Sequence, residues 1–170
     1  DEERQSITEW LKTNERKILL VVVPRHVNRL GDILSDLPLD MIKIGIRSKN
    51  DPIRKNTQVY IADTYGEARK FYEISNLCFV GGSLINHGGQ NPLEPVRGKN
   101  YIIFGPFVHN FKEVYDLLLN LKIASKVKSL NSVCELIKKK INYNQSRKIL
   151  KKIDEMGKRV LKNNIYEIDK

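Results

Sequence analysis

The sequence predicts an α/β fold, a Rossmann-like doubly wound parallel sheet, and three observations carry that expectation. Short apolar runs rich in β-branched residues recur along the chain, stretches with apolar residues at helical spacing separate them, and helix-start signals follow the runs. Taken in order, Ile7, Trp10 and Leu11 share one face of an opening helix. A doubly wound domain normally opens with a strand. The strand before this helix is therefore expected from a preceding segment or a neighbour, unless the fold is a variant. Residues 18–23 form a continuous apolar run that suits a strand buried on both faces, and residues 41–46, 58–62, 77–80 and 101–104 read the same way. Between these runs, Ala68, Phe71, Tyr72 and Ser75 line one helix, and Val114, Leu117, Leu118 and Leu121 line another. Thr64, Asn91, Asn110 and Ser132 each precede a glutamate by three positions, the spacing of a capping box. Residues 143–162 read as a long basic amphipathic helix, and the whole of residues 1–170 as one domain.

Composition narrows the function. With 170 residues and 41% hydrophobic side chains, the chain can bury one core but hardly two. No run is long enough to cross a bilayer, and the opening Asp1-Glu2-Glu3-Arg4 lacks the apolar centre of a signal peptide. Cys78 and Cys134 stand alone in apolar surroundings, which predicts reduced core thiols rather than a disulfide or a metal site. The net charge of +10 favours a phosphate-bearing partner or an anionic surface. Much of that excess lies in the last third, where the lysines are interspersed with Ile, Leu and Asn and few aromatic residues. A nucleic-acid surface more often interleaves aromatics or arginines, so a solvated or membrane-facing lysine face is expected and nucleic-acid binding is not.

In a doubly wound sheet, ligands sit at the carboxyl ends of the strands, where helix N-termini attract anions. The function is therefore sought near Pro24, Asp63, Gly81 and Gly105. The most informative stretch runs from Val80 to Pro95 and holds Gly81, Gly82, Ser83, Gly88, Gly89, Gln90 and Asn91. Glycines let backbone approach a ligand closely, and successive free N–H groups form a concavity for phosphate or carboxylate; a tight turn without ligand is the plainer reading. The pattern is neither GxGxxG nor a P-loop. Glu94 has two readings, a return to the backbone of Asn91 that closes a capping box, or an acceptor for a ribose diol. Arg25 offers a donor fork suited to phosphate or carboxylate, with His26 beside it as polar filler or ligand contact. Gly105-Pro106 forms a stiff turn whose backbone groups could read a base edge. His26, His87 and His109 show no metal-binding spacing, and there is no Asp-x-Asp pair, so neither metal nor cofactor is expected. No GxSxG elbow or Cys–His arrangement suggests a nucleophile.

These segments, in this order, resemble the carboxy-terminal half of Kdo (3-deoxy-D-manno-octulosonate) transferases, inverting glycosyltransferases of the two-domain GT-B type. The matching stretches are Val22-Val23-Pro24-Arg25-His26, Asp63-Thr64-Tyr65-Gly66-Glu67, Phe79-Val80-Gly81-Gly82-Ser83, Gly88-Gly89-Gln90-Asn91-Pro92-Leu93-Glu94, and Gly105-Pro106 with Asn110-Phe111. They cover roughly residues 15–120, and the basic tail matches loosely. The resemblance implies a CMP-Kdo donor whose CMP portion binds this half. Arg25, with His26 beside it, would contact the donor phosphate or carboxylate. Gly81, Gly82, Ser83, Gly88, Gly89, Gln90 and Asn91 would wrap the phosphate, Gly105 and Pro106 would face cytosine, and Glu94 would bind ribose. Gln90 stands where the family usually has His, an amide in place of a titratable ring.

The resemblance also implies an amino-terminal half that binds the lipid A precursor, carries the acidic general base and holds a membrane anchor. No catalytic residue is then expected in this half, which alone should bind donor weakly and turn nothing over. The expected place of work is the cytoplasmic face of the bacterial inner membrane, with the basic surface against anionic lipid. A GT-B enzyme using a UDP-sugar is the nearest alternative, and a basic nucleic-acid-binding domain driven by the +10 charge is the more distant one.

Overall fold

The computed structural model describes residues 2–140, and the basic helix expected over residues 143–162 lies outside them. Strand β1 (Leu20–Val22) and β2 (Ile44–Ile46) both pair in parallel with β3 (Val59–Ile61), with Leu20 and Ile44 each beside Val59. Strand β5 (Tyr101–Phe104) likewise sits between β4 (Leu77–Phe79) and β6 (Ala124–Lys126), all parallel. The neighbour orders are β2-β3-β1 and β4-β5-β6. In the first sheet β3 thus lies between β1 and β2, whereas the second runs in chain order. In place of the single sheet expected from the apolar runs, the described residues form two three-stranded parallel sheets.

Helix α1 (Glu2–Lys12) bridges them. Its Ile7 joins Val22, Ile33, Val59 and Ile61 in one core, its flank packs against α6 (Leu130–Lys140), and Glu2 reaches the loop after β4. Helix α2 (Leu30–Leu34) closes the same core through Ile33. On the other face of β3, the Tyr60 ring meets Phe71 of α3 (Ala68–Ile74) at 6.1 Å between centroids.

Strand β5 is buried along its whole length, and its side chains divide by the two-residue period of a strand. Ile102 and Phe104 pack with Val96 of α4 (Leu93–Arg97) and with Tyr115 and Leu118 of α5 (Lys112–Asn120). Tyr101 and Ile103 pack with Val127 and with Val133 of α6. Helices thus cover both faces, as near-continuous apolar strands require.

Three of the expected helix starts move, those at Ser132, Asn110 and Thr64. Ser132 lies inside α6, and Ser129 receives the N–H of Ser132 on its hydroxyl at 3.3 Å and that of Val133 on its carbonyl at 3.1 Å. Asn110 does not cap α5, because its side-chain amide is spent on the carbonyl of His87 at 3.3 Å.

The loops after β2 and β3 are tied by acids. Asp63, buried, accepts from Ser48 N at 2.8 Å and Ser48 Oγ at 2.6 Å. Glu67 accepts a two-pronged hydrogen bond from Arg47, at 2.7 and 3.0 Å, and further bonds from Thr64 and Lys70. The Thr64 hydroxyl therefore meets the Glu67 side chain instead of capping α3. The hydrogen bond from Arg47, then those from Thr64 and Lys70, holds the Glu67 carboxyl well below its ordinary range.

Two consequences can be measured. Ile102→Ala empties the fully buried centre of β5 and should cost about 2–5 kcal/mol in chemical denaturation at neutral pH; a loss below about 1 kcal/mol would contradict this packing. For Glu67, a depressed folded-state pKa means that its contribution is fully present above the unfolded value near ~4.3 and is lost as pH falls. The wild-type chain should therefore lose stability more steeply than Glu67→Gln between about pH 5 and pH 3. Parallel slopes would contradict it.

Candidate functional site

The ladder of β4 continues one residue beyond the strand, where Val80 N donates to Ile103 O at 2.9 Å, and the Gly-rich loop then leaves the sheet. Gly82, Gly88 and Gly89 have φ of 67, 90 and 74°, the left-handed region that side-chain-bearing residues avoid. Those turns bring the two ends of the loop together. Gly89 N donates to Gly82 O at 2.8 Å and Gln90 N to Gly81 O at 3.2 Å.

The loop after β5 closes against this ring. Ser83, wholly buried, donates its hydroxyl to Val80 O at 2.6 Å and accepts from Gly105 N at 2.8 Å. Phe107 N donates to Ser83 O at 2.9 Å, Asn110 N to Gly88 O at 3.1 Å, and the Tyr115 hydroxyl to Gln90 O at 2.7 Å. Gly81, Gly82, Ser83, Gly88, Gly89, Gln90 and Gly105 therefore form one backbone-bonded unit at the carboxyl ends of β4 and β5. Pro106 lies at its rim, beside a cleft of about 200 Å³ that is also lined by Phe107, His109, Lys112 and Lys126.

The loop already holds an acid. Gly82 N donates to Glu2 Oε2 and Leu84 N to Glu2 Oε1, the latter at 3.1 Å. No pattern in the sequence points to this contact, because an acid in the first turn of a helix is the ordinary complement to the helix dipole. By contrast, the N–H groups of Gly88 and Asn91 make no hydrogen bond among the described residues.

The remaining expected residues stand apart from this unit. Arg25 and His26 are exposed just past the carboxyl end of β1. Neither side chain makes a hydrogen bond or ion pair among the described residues, although the His26 carbonyl accepts from Arg29 N at 3.2 Å. No hydrogen bond or ion pair among the described residues joins their side chains to the Gly-rich loop. Glu94 is exposed in the first turn of α4, and its carboxylate makes no hydrogen bond among the described residues. The expected return to Asn91 is not formed; the Asn91 side chain instead accepts from Leu93 N at 3.0 Å. Glu94 is thus left available to a ligand. Its charge reaches Tyr72, whose hydroxyl is pushed up to about 12, chiefly by burial and then by Cys78 and Glu94. Burial likewise pushes the Cys78 thiol up to about 12, as befits an inert packing group.

No model of a known protein family matches the chain. Among curated proteins, it is 37% identical over 134 residues to the 3-deoxy-D-manno-octulosonic acid transferase of Haemophilus influenzae, covering 78% of this chain and 31% of that protein. It is 28% identical over 151 residues to the corresponding transferase of Rickettsia bellii, covering 87% of this chain and 36% of that one. A bifunctional glycosyltransferase/methyltransferase of Fusobacterium nucleatum is 32% identical over 125 residues, covering 72% of this chain and 19% of that protein. The chain thus spans about a third of the length of the two transferases. Among solved structures, the C-terminal CMP-Kdo binding domain of WaaA from Acinetobacter baumannii superposes with a TM-score of 0.74 at 28% identity, covering 88% of this chain and 82% of that one. With its two Gly-bearing loops locked together at the carboxyl ends of a parallel sheet, and with these relatives, the chain belongs to the Kdo transferase family and takes the fold of its carboxy-terminal domain.

Proposed function

We propose that this chain binds CMP-Kdo, as the donor half of an enzyme that transfers Kdo to a lipid A precursor. The observation that supports it most is the likeness, over 88% of the chain, to a domain described as binding CMP-Kdo. The site's chemistry agrees. The N–H groups of Gly88 and Asn91 have no partner among the described residues and lie in a loop shaped by left-handed glycines. Such N–H groups, and the unpaired guanidinium of Arg25, suit a phosphate or carboxylate. The unpaired carboxylate of Glu94 suits a ribose diol, and the Pro106 cleft suits a base. His26 stands beside Arg25 as a further contact, and the Gln90 side chain can donate a hydrogen bond but carry no proton at neutral pH.

In the reaction, an acceptor hydroxyl oxygen attacks the anomeric carbon of Kdo, inverting it. The bond from that carbon to the phosphate oxygen breaks, and CMP leaves with the electron pair. The hydroxyl proton passes to an acidic base in the amino-terminal half. This half stabilises the negative charge that grows on the departing phosphate, using Arg25 and loop N–H groups aimed by the fold. Those donors supply the positive field, so the reaction proceeds without a metal, and this half alone turns nothing over. The excess of lysine holds the enzyme to anionic lipid at the cytoplasmic face of the inner membrane rather than to nucleic acid.

Calorimetric titration of the 170-residue chain and of the full-length enzyme with CMP, UMP and UDP tests the assignment. CMP should bind best, and Arg25→Ala and Glu94→Ala should each weaken it about tenfold or more, the worth of one charge-assisted hydrogen bond. Preference for UDP would overturn the Kdo assignment while keeping the fold. No binding to either form of the protein would overturn donor binding itself.

A further inference from the structure

The carboxylate of Glu2 is an unusual element of the loop. Glu2 is only 7% exposed, and its two oxygens divide between Gly82 N and Leu84 N, the residues on either side of Ser83. No cation pairs with it among the described residues, whereas its neighbour Glu3 meets Arg29 at 3.4 Å in the ordinary way. A buried anion is costly unless hydrogen bonds compensate, so an apolar side chain would anchor α1 to the loop at lower cost. What the carboxylate supplies is direction. By holding the N–H groups on both sides of Ser83, it fixes the peptide that carries the Ser83 hydroxyl to Gly105 and the Ser83 carbonyl to Phe107 N. Space around it is tight, since a Cβ at Gly81 would lie 3.1 Å from Glu2 Oε2.

This contact also divides the loop's donors. The N–H groups of Gly82 and Leu84 are taken, and those of Gly89 and Gln90 are taken by Gly82 O and Gly81 O. Those of Gly81, Ser83, Ile85, Asn86, Gly88 and Asn91 make no hydrogen bond among the described residues, and of these Ser83 is wholly buried. We propose that Glu2 is a positioning residue for donor binding. It holds the first half of the Gly-rich loop, residues 81–84, as a rigid support, and leaves residues 88–91 to receive the anionic group of the donor. This rests on the donor reading above. It narrows that reading, because residues 81–83 then shape the phosphate site without donating to it through Gly82.

The test compares Glu2→Ala, Glu2→Gln and wild type in three measurements. The contact itself is read from amide-proton resonances of the 170-residue chain. Gly82 and Leu84 should be strongly downfield and exchange-protected in wild type, and should move upfield in Glu2→Ala. Donor binding is read as CMP affinity, expected about tenfold weaker in Glu2→Ala and intermediate in Glu2→Gln, whose amide keeps one accepting oxygen. In the full-length transferase, the KM for CMP-Kdo should rise about tenfold, with kcat and the acceptor KM within about twofold. A merely structural role would instead lower the active fraction at unchanged donor KM, and that result overturns the proposal even for a variant that folds poorly. Unchanged CMP affinity in Glu2→Ala, with wild type binding normally, overturns it too. If wild type binds no CMP while the Gly82 and Leu84 resonances still respond to Glu2, the donor reading is what has failed, and the positioning role falls with it.

Discussion

Strand β5 can hand its carboxyl end to the Gly-rich loop only because position 105 carries no side chain. A Cβ there would lie 2.5 Å from the Ser83 carbonyl carbon and 2.7 Å from Leu84 N, both backbone atoms that cannot swing aside. The close approach lets Ser83 bond both Val80 and Gly105, which makes two loops from neighbouring strands behave as one surface. At Gly88 the constraint is instead its φ of 90°, since the atoms a Cβ would meet, Asn110 Cγ at 2.6 Å and His109 Nε2 at 2.7 Å, belong to side chains. The concavity is thus built from backbone, whereas Arg25 and Glu94 stand exposed outside it.

Electrostatics divides the domain into two working zones. Around β2 and β3 the charges are spent internally: Asp63 on Ser48, and Glu67 on Arg47, Thr64 and Lys70. The Asp63 to Glu67 segment sits where a ligand loop would, yet it serves as a brace. Around β4 and β5 the one buried acid is satisfied by backbone dipoles, and N–H groups and the Glu94 carboxylate are left over. Under the proposed donor binding, such unspent donors need to be held rigidly, since ordering them on binding would cost affinity.

Much of this was legible in the sequence. Five strands announced themselves through β-branched runs because parallel strands are apolar on both faces. The sixth, Ala124-Ser125-Lys126, escaped because it is an edge strand with a single small inward residue. Helix α2 escaped because its five residues include Gly31 and Asp32 and its start has no side-chain cap. The capping pairs were less dependable: Asn91 accepts from Leu93 N at the start of its own helix, Thr64 meets the side chain of its own Glu67, and Asn110 turns to the neighbouring loop at His87. The loops after Phe79 and Phe104 were marked as ligand loops, but their linkage was not, and Glu2 could not be read, since its partners lie 80 or more positions away. Long-range contacts of this kind leave no periodic trace in the chain.

The most direct measurement is an amide map of the isotopically labelled chain titrated with CMP. Saturable shifts should appear at Gly88, Asn91, Glu94 and Gly105, while the amides of α3 and of the Arg47–Asp51 turn stay still. Saturable shifts confined to that second group, with the Gly-rich loop unmoved, would contradict the account and place the nucleotide elsewhere on the sheet.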